Sequence, residues 1–265
     1  MKKTFLSILA AFICMTMVFS MTAFAAEAAP VSTVEEGVLN IATNAEFPPY
    51  EFKEGDGFAG IDIEIAGAIA EALGLELKVN DVEFGSIIGG VQSGKYDIGI
   101  AGMTKTEERL QSVNFSETYA IGVQVIIVKE DSDIQTADDL VGRKIGVQQD
   151  TTGDIYCCGD FGDENVTEYR NGAEAVQGLI AGKVDCVVID NEPAKSYVAA
   201  AEGLKILDTE YVTEEYAICI AKESEDLLAA INGVIKDLQE SGKLQEIVDK
   251  YISAGEEETQ EEESK

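Results

Sequence analysis

The sequence contains no histidine, and this excludes several common kinds of active site. Histidine-based catalytic triads, acid–base catalysis by an imidazole and zinc sites with histidine ligands all require that side chain. After the first 25 residues there is also no long apolar run, so no later segment predicts a membrane-spanning helix. Arginine is scarce, because 50 acidic residues are accompanied by only three arginines, Arg109, Arg143 and Arg170. The position of each guanidinium group is therefore informative.

Cysteine is also scarce, and the four cysteines beyond residue 25 form no C-x-x-C pair. Cys157 and Cys158 are adjacent, which is not the spacing of a redox or metal pair. Cys186 and Cys219 stand in apolar, strand-like runs, which favours buried free thiols. The spacing neither proves nor excludes a disulfide bond. We expect no metal and no cofactor.

The first 25 residues have the pattern of a secretory signal peptide. Two lysines precede an apolar run over residues 5–19, and a small-x-small cleavage site ends at Ala25. The residues before Cys14 lack the small side chains of a lipoprotein signal, so we expect no lipid anchor. The sequence therefore predicts residues 1–25 as a signal peptide and a protein exported to the periplasm or the extracellular space.

The chain is strongly acidic, with a formal net charge of −31. Such a charge argues against nucleic acid and anionic membranes as partners. Residues 255–265 contain six glutamates and no apolar side chain. This composition predicts a disordered acidic tail over residues 254–265. We expect the protein to be a monomer.

Strand and helix signals alternate along most of the chain. A strand-like run over residues 39–43 is followed by an amphipathic helix over 62–73, which Gly74 ends, and by a strand over 75–79. The same alternation restarts near residue 123, and two amphipathic helices follow residue 226. Alternation of this kind predicts α/β lobes with mostly parallel sheets.

Arg109 lies shortly after the apolar run over residues 98–101. A planar guanidinium at the mouth of a strand can hold a carboxylate through two parallel hydrogen bonds, which lysine cannot. Thr104 and the backbone N–H groups at the strand end would add donors to the same anion. The alternative is an exposed arginine that pairs with Glu107 and Glu108 on the surface.

Five motifs in the same order resemble one known family. The chain is similar to bacterial extracellular solute-binding proteins of family 3, the polar amino-acid receptors of ABC importers, over roughly residues 36–253. The first motif reads ATNAEFPPYEF, and the third contains Arg109. The motifs cover residues 42–52, 60–66, 101–116, 145–154 and 188–190.

The resemblance implies a two-lobed α/β fold of the type II periplasmic-binding-protein class, with the ligand in the cleft. Residues 36–121 plus 222–253 would form the first lobe, and residues 122–221 the second. The chain would cross between the lobes twice, near residues 120–122 and 222–223.

The resemblance also implies a role for each site residue. Arg109 would pair with the α-carboxylate of an amino acid, and Asp190 would accept its α-ammonium. Phe47 and Phe84 would enclose the apolar stem, and Thr152 would donate from the second lobe. The expected site comprises Asn44, Glu46, Phe47, Phe84, Ala101, Gly102, Thr104, Arg109, Gln148, Thr151, Thr152 and Asp190.

Structural roles remain open for several of these residues. Phe47 and Phe84 could be core aromatics, Asp190 could cap the following helix, and Gln148 could face solvent.

The loop after Gln148 has its own open questions. Thr151 and Thr152 could be plain helix caps. Asp150 replaces a glycine that is common in the family, which places a negative charge beside the anion-binding loop.

The ligand's side chain is the least determined feature. Asn44 stands where receptors for basic amino acids often have an aspartate, so its neutral amide favours a polar uncharged ligand such as glutamine. Glu46 could instead select a cation, or it could face solvent. Arginine, lysine and ornithine therefore remain open.

Transport is the function that the resemblance implies: the protein would not be an enzyme, and it would deliver a free amino acid to the permease subunits of an ABC transporter. The alternative is an exported enzyme similar to cyclohexadienyl dehydratase, which would need an acid over the leaving hydroxyl. Glu46 is the nearby acid in the sequence. A sensor domain would require an attached membrane segment or output domain.

Overall fold

The structure, a computed structural model, describes residues 31–208 and 210–252. The predicted signal peptide over residues 1–25 and the predicted acidic tail over residues 254–265 lie outside the described residues. The described residues form two α/β lobes, each built around its own sheet, with a cleft between them. The predicted two-lobed fold is confirmed.

The helices and strands alternate as the sequence predicts. The strands are β1 (Val38–Thr43), β2 (Glu46–Phe47), β3 (Glu51–Glu54), β4 (Gly57–Ala59), β5 (Glu76–Asp81), β6 (Ile98–Gly99), β7 (Asn114–Phe115), β8 (Ala120–Lys129), β9 (Ile145–Gln148), β10 (Val166–Tyr169), β11 (Cys186–Asp190), β12 (Leu204–Ile206), β13 (Val212–Tyr216) and β14 (Cys219–Ile220). The helices are α1 (Ile61–Leu73), α2 (Ile87–Gln92), α3 (Arg109–Ser112), α4 (Thr152–Phe161), α5 (Gly172–Ile180), α6 (Asn191–Ala199) and α7 (Glu225–Glu240). Residues 243–252 are also helical.

Each lobe has one main sheet. The first sheet has the strand order β5-β1-β6-β14-β7, and the second has the order β10-β9-β11-β8-β12, with β13 paired to β8. A small antiparallel sheet of β2, β3 and β4 follows β1 in the chain. Two of its residues, Phe47 and Glu51, form part of the cleft wall.

The sheets are mixed rather than mostly parallel, which corrects the sequence-based expectation. β1 runs parallel to β5 and β6, and β9 runs parallel to β10 and β11. β8 and β14 instead run antiparallel to all their partners. β8 and β14 are the strands by which the chain enters a lobe from the other lobe. No helical crossover precedes them, so the parallel direction that such crossovers impose does not apply.

Helix α1 shows how local sequence determines an element. Ile61, Ile65 and Ile69 recur at helical spacing and are buried. Gly74 follows the helix with φ of 68°, and its N–H donates to the carbonyl of Ala70. Glycine adopts this left-handed conformation without a steric penalty, so it ends the helix where the sequence predicts. The buried face of α1 packs against the sheet and against α7.

The strand pairings move the expected lobe boundaries. Ala120 and Ile121 already belong to β8 in the second sheet, although the expected first lobe extends to residue 121. Cys219 and Ile220 pair with β6 and β7 in the first sheet, although the expected second lobe extends to residue 221. We therefore propose crossings over residues 116–119 and 217–218.

Three further observations concern the described residues alone. None of their helices is long and apolar enough to cross a membrane. They contain no cluster of three or more acidic or cysteine side chains arranged to hold a metal ion. Cys186 and Cys219 are buried free thiols, as predicted, and Cys157 and Cys158 are also free.

Candidate ligand-binding site

A cavity lies between the two lobes, and the empty space within it and at its open mouth amounts to about 310 Å³. Eleven of the twelve predicted site residues line it, Glu46 does not, and Glu51 does although it was not predicted. The lining residues are Asn44, Phe47, Glu51, Phe84, Ala101, Gly102, Thr104, Arg109, Gln148, Thr151, Thr152 and Asp190.

The carboxyl ends of parallel strands bring these residues together. In the first lobe, Asn44 follows β1 and Ala101 follows β6. In the second lobe, Gln148 ends β9 and Asp190 ends β11. In α/β sheets, ligands bind outside the carboxyl ends of parallel strands. Both lobes therefore present their chemically active edge to the same cleft.

Gly102 lets the backbone approach the cavity closely. It has φ of 52°, and a Cβ atom there would lie 2.8 Å from the ring of Phe47. Its N–H donates to Oδ2 of Asp62 at 2.8 Å. A larger residue at this position would combine a strained backbone with a clash.

Arg109 is buried, with 8% of its surface exposed, whereas Glu107 and Glu108 are exposed. The alternative of a surface arginine paired with these acids is therefore wrong. Its Nη1 donates to the Thr104 carbonyl at 2.8 Å, and its Nη2 donates to the Asp150 carbonyl of the other lobe at 3.1 Å.

The surroundings of Arg109 contact the face of the guanidinium group and shift its pKa. Its central carbon lies 5.3 Å from the ring centre of Phe84, which is within cation–π range. Burial lowers the pKa of Arg109, and the carboxylate of Glu214 is the foremost group that opposes this shift. Arginine remains charged at neutral pH under such conditions, so it can act as the anion-binding group.

Asp190 is the buried acid that faces the cavity from the second lobe. It occupies the N-cap position of α6, but its side chain accepts no hydrogen bond from that helix. The capping alternative is therefore not supported. The carboxylate instead accepts from the hydroxyl of Tyr216 and from Nε2 of Gln124, the latter at 2.9 Å. Burial, and then the nearby Glu214 carboxylate, raise the pKa of Asp190 to about 7.

Gln124 and Glu214 lie behind Asp190, and sequence reasoning missed both. Gln124 Nε2 also donates to Oε2 of Glu214 at 2.9 Å. Glu214 has 3% of its surface exposed, and its Oε1 has no hydrogen-bond partner among the described residues. The alternation of exposed and buried positions along β13 puts Glu214 on the same face as Tyr216, and this is the signal that could have revealed it.

Glu51 is a second missed residue, although it lies within the first family motif. It has 1% of its surface exposed, and neither carboxylate oxygen has a hydrogen-bond partner among the described residues. Burial raises the pKa of Glu51 well above its usual value, and the adjoining Asp62 carboxyl adds to the effect.

Asp62 is the structural partner in this pair of acids. Its Oδ2 accepts from the Gly102 N–H and from the Tyr119 hydroxyl at 2.9 Å. Burial raises the pKa of Asp62 to about 6, against the opposing effect of the hydrogen bonds from the Gly102 N–H and the Tyr119 hydroxyl. Because Asp62 is already supported by donors, Glu51 is the acid that faces the cavity without support.

The anion-binding loop combines capping and cavity roles. Thr151 is the N-cap of α4 and accepts from the Asp154 N–H, so the capping alternative holds for it, and it lines the cavity as well. Thr152 lies 3.5 Å from Thr104 of the first lobe, oxygen to oxygen. Asp150 has φ of 64°, which lies in the left-handed region that glycine adopts without strain. Aspartate tolerates this region better than most residues.

Asn44 and Gln148 meet across the cleft. Gln148 is buried, so the alternative of a solvent-facing side chain is wrong, and its Nε2 donates to Oδ1 of Asn44 at 2.9 Å. Nδ2 of Asn44 donates to the Val82 carbonyl at 3.0 Å. Phe47 belongs to the hydrophobic core as well as to the cavity wall, whereas Phe84 is only partly buried.

Glu46 joins the lobes outside the cavity. Its Oε2 accepts from Nδ2 of Asn171 at 2.6 Å, and Arg170 lies 3.5 Å from its Oε1. Its backbone carbonyl accepts from the Tyr197 hydroxyl at 2.7 Å. All three partners belong to the second lobe. The structure therefore supports a cross-lobe contact for Glu46 in place of ligand selection.

The chain is similar to known transport proteins over nearly its whole length. The family described as bacterial extracellular solute-binding proteins, family 3, matches residues 39–254. The arginine-binding extracellular protein ArtP of Bacillus subtilis (strain 168) is 32% identical over 261 residues, which cover 96% of this chain and 99% of that protein.

Solved structures extend this similarity to three dimensions. The crystal structure of the P235GK mutant of ArgBP from T. maritima has a TM-score of 0.78 and 39% identity, and the match covers 82% of this chain and 96% of that one. An ancestral arginine-binding protein bound to glutamine has a TM-score of 0.78 and 38% identity, with coverage of 82% and 98%.

Proposed function

Because the chain belongs to the bacterial extracellular solute-binding proteins, family 3, we propose that it captures a free amino acid with a cationic side chain between its two lobes. It works outside the cytoplasmic membrane as a monomer and delivers this ligand to the permease subunits of an ABC importer. Three features of the site support this proposal: a guanidinium group, an opposing acid, and a second, unsupported acid.

Arg109 and Asp190 form the two ends of a clamp for a zwitterion. They stand on different lobes and line the same cavity. The guanidinium pairs with the α-carboxylate of the ligand, assisted by Thr104 and Thr152. Asp190 accepts the α-ammonium. Charges at both ends are thereby matched, which a buried charge requires because leaving it unpaired costs several kcal/mol.

Glu51 is the single observation on which the proposed class of ligand side chain rests. It is buried, it lines the cavity, and the described residues supply no donor to its oxygens. A guanidinium or ammonium group of the ligand would supply those donors and compensate the buried charge. A neutral amide would leave the carboxylate without charge compensation.

Asn44 does not support a neutral ligand in the way that its sequence position suggested. Its amide is already engaged by Gln148 and by the Val82 carbonyl, so it does not define the charge of the ligand. We therefore propose arginine, lysine or ornithine in place of the neutral polar ligand that the sequence favoured. The arginine named for the relative ArtP, and for an arginine-bound form of ArgBP from T. maritima, agrees with this choice.

The charge balance of the cavity also argues against the dehydratase alternative. A cyclohexadienyl substrate carries two carboxylates, whereas the cavity offers one guanidinium and two carboxyl groups, Glu51 and Asp190. Glu46, the acid that the sequence offered for such catalysis, does not line the cavity. We infer a binding role without catalysis.

A thermal-shift screen of the twenty common amino acids and ornithine tests the proposal. A ligand at 100 times its dissociation constant adds about 2.7 kcal/mol of stability. Arginine, lysine and ornithine are expected to give the largest shifts. Stabilisation by neutral amino acids alone would contradict the cationic class, and stabilisation by none of them would contradict amino-acid binding itself.

A further inference from the structure

The zwitterion clamp leaves one part of the second lobe unexplained, namely the second buried carboxylate behind Asp190. Glu214 lies on β13 and does not line the cavity, so it does not contact a ligand there. No lysine or arginine among the described residues makes a salt bridge to Glu214, and a buried acid without such a bridge is costly and rare unless it has a role. Its position next to the proposed ammonium site indicates what that role is.

One amide nitrogen holds both acids in place. Nε2 of Gln124 donates to Oδ2 of Asp190 and to Oε2 of Glu214, each at 2.9 Å. The two carboxylate oxygens are therefore no more than about 6 Å apart. Two carboxylates at this separation in a buried site disfavour each other's ionisation. The amide has two N–H groups, so it satisfies both acids only in this fixed arrangement.

On the basis of the amino-acid-binding function above, we propose that Glu214 is a positioning residue that keeps a proton on Asp190 in the ligand-free protein. The α-ammonium of the incoming ligand displaces that proton. In the step, the neutral carboxyl of Asp190 releases one proton to solvent, and its carboxylate then pairs with the ligand's ammonium, which keeps all three of its protons. Capture of the amino acid is thus coupled to proton release.

The other groups around Asp190 do not replace Glu214 in this role. The groups that face or influence this acid are Tyr216, Gln124, Arg109, Tyr156, Tyr50 and Glu51. Arg109 is the cation among them, and its Nη atoms donate to the Thr104 and Asp150 carbonyls rather than to Asp190. Tyr216 and Gln124 donate to the carboxylate and favour its charged form. Glu214 is the charged group that most opposes it.

Ligand binding releases the Asp190 proton near neutral pH, because burial and the Glu214 charge raise the pKa of Asp190 to about 7. The proton competes with the ammonium for the same carboxylate. The competition at Asp190 therefore lowers the affinity below about pH 7, by up to tenfold per pH unit, and this contribution disappears above about pH 8.

Calorimetric titration with L-arginine tests this coupling when each pH is measured in two buffers that titrate at that pH and differ in ionisation enthalpy. The difference in observed heat gives the number of protons released. Asp190 should contribute about one proton per ligand at pH 5.5, about half at pH 7 and almost none at pH 8.5, in addition to any proton that Glu51 releases when it pairs with the ligand's cation. Buffer-independent heats at pH 6 to 7, with L-arginine bound, would overturn the inference and leave the proposed function standing.

Variants of β13 assign the coupling to Glu214. Glu214→Gln is expected to lower proton release at pH 7 and to flatten the pH dependence of affinity between pH 6 and 8, whereas Glu214→Asp should retain both. Glu215→Gln is the matched control, because it removes the same charge from the next residue of the strand, on the exposed face. Subtracting the number of protons that Glu214→Gln releases from the number that wild type releases also removes the contribution of the Glu51–Asp62 pair.

Two outcomes separate the proposals. Wild-type proton release in Glu214→Gln would remove Glu214 from the mechanism. Binding of none of the amino acids would remove the proposed function, and the coupling with it. If Glu214→Gln does not fold, the wild-type comparison of the two buffers still decides whether binding releases protons.

Discussion

Replacing Glu51 with glutamine should have opposite effects on ligand binding and on the stability of the ligand-free protein. Glu51→Gln keeps the size of the side chain and removes its charge. If the carboxylate pairs with the ligand's cation, the loss of this buried charge-assisted contact should cost about 2–5 kcal/mol. That corresponds to a roughly 30-fold to 5,000-fold weaker affinity for L-arginine.

Stability should change in the other direction. Burial raises the pKa of Glu51 well above its usual value, so the folded protein holds this proton more tightly than the unfolded chain. Stability is then lost as the pH rises above the unfolded pKa of about 4.3 towards the raised folded pKa. Glu51→Gln removes this loss. The ligand-free variant should melt at a higher temperature than wild type at pH 8, and the difference should vanish near pH 4.

Calorimetry with two ligands separates charge from shape. L-citrulline has the outline of arginine with a neutral ureido group, so its affinity should change far less than that of L-arginine in Glu51→Gln. Glu54→Gln is the matched control, because it removes an exposed acid from the same strand, β3. An unchanged arginine affinity, or a ligand-free variant that melts below wild type at pH 8, would refute the reasoning.

The remaining predictions concern the clamp and its closure. Arg109→Lys should weaken binding by about 2–5 kcal/mol although the charge is kept, because the two parallel hydrogen bonds are lost, and equal affinities by calorimetry would remove Arg109 from the site. Asp190→Asn should weaken amino-acid binding strongly while the circular dichroism spectrum is unchanged, whereas unfolding would point to a structural role. Adding L-arginine should reduce the radius of gyration in small-angle scattering, because a ligand that touches both lobes favours the closed form. Glu46→Ala removes the contacts with Asn171 and Arg170, so arginine should dissociate faster by stopped-flow measurement, and an unchanged rate would exclude Glu46 from closure.

Much of the fold follows from local sequence. The spacing of Ile61, Ile65 and Ile69 and the terminal Gly74 predict α1 almost residue by residue, because amphipathic periodicity and glycine conformation are local properties. Arg109 and Asp190 could also be found in this way, since each follows or ends a recognisable strand within a motif. The family motifs then predicted that these two residues face one cleft, which the structure reproduces.

The sheet that a strand joins after the chain crosses between the lobes could not be read from the sequence. Cys219 and Ile220 end an apolar run that starts at Tyr216, the last residue of β13, with no turn signal that marks a change of sheet, yet they pair with β6 and β7. The identity of the partner strand depends on the packing of the whole lobe. An apolar run predicts that a strand is buried, but it does not specify which sheet buries it.

The electrostatics of the site were decided by tertiary structure alone. Gln124 meets Asp190 across 66 positions of the chain and Glu214 across 90, and Glu46 meets Asn171 across 125. Sequence patterns specify which side chains are polar, and often which face of an element they occupy. Whether a polar side chain is exposed, paired or buried without a partner depends on neighbours that only folding brings close. For this reason the sequence by itself predicted the two lobes and the proposed zwitterion clamp, whereas the unsupported Glu51 and the paired acids behind the clamp emerged only from the structure.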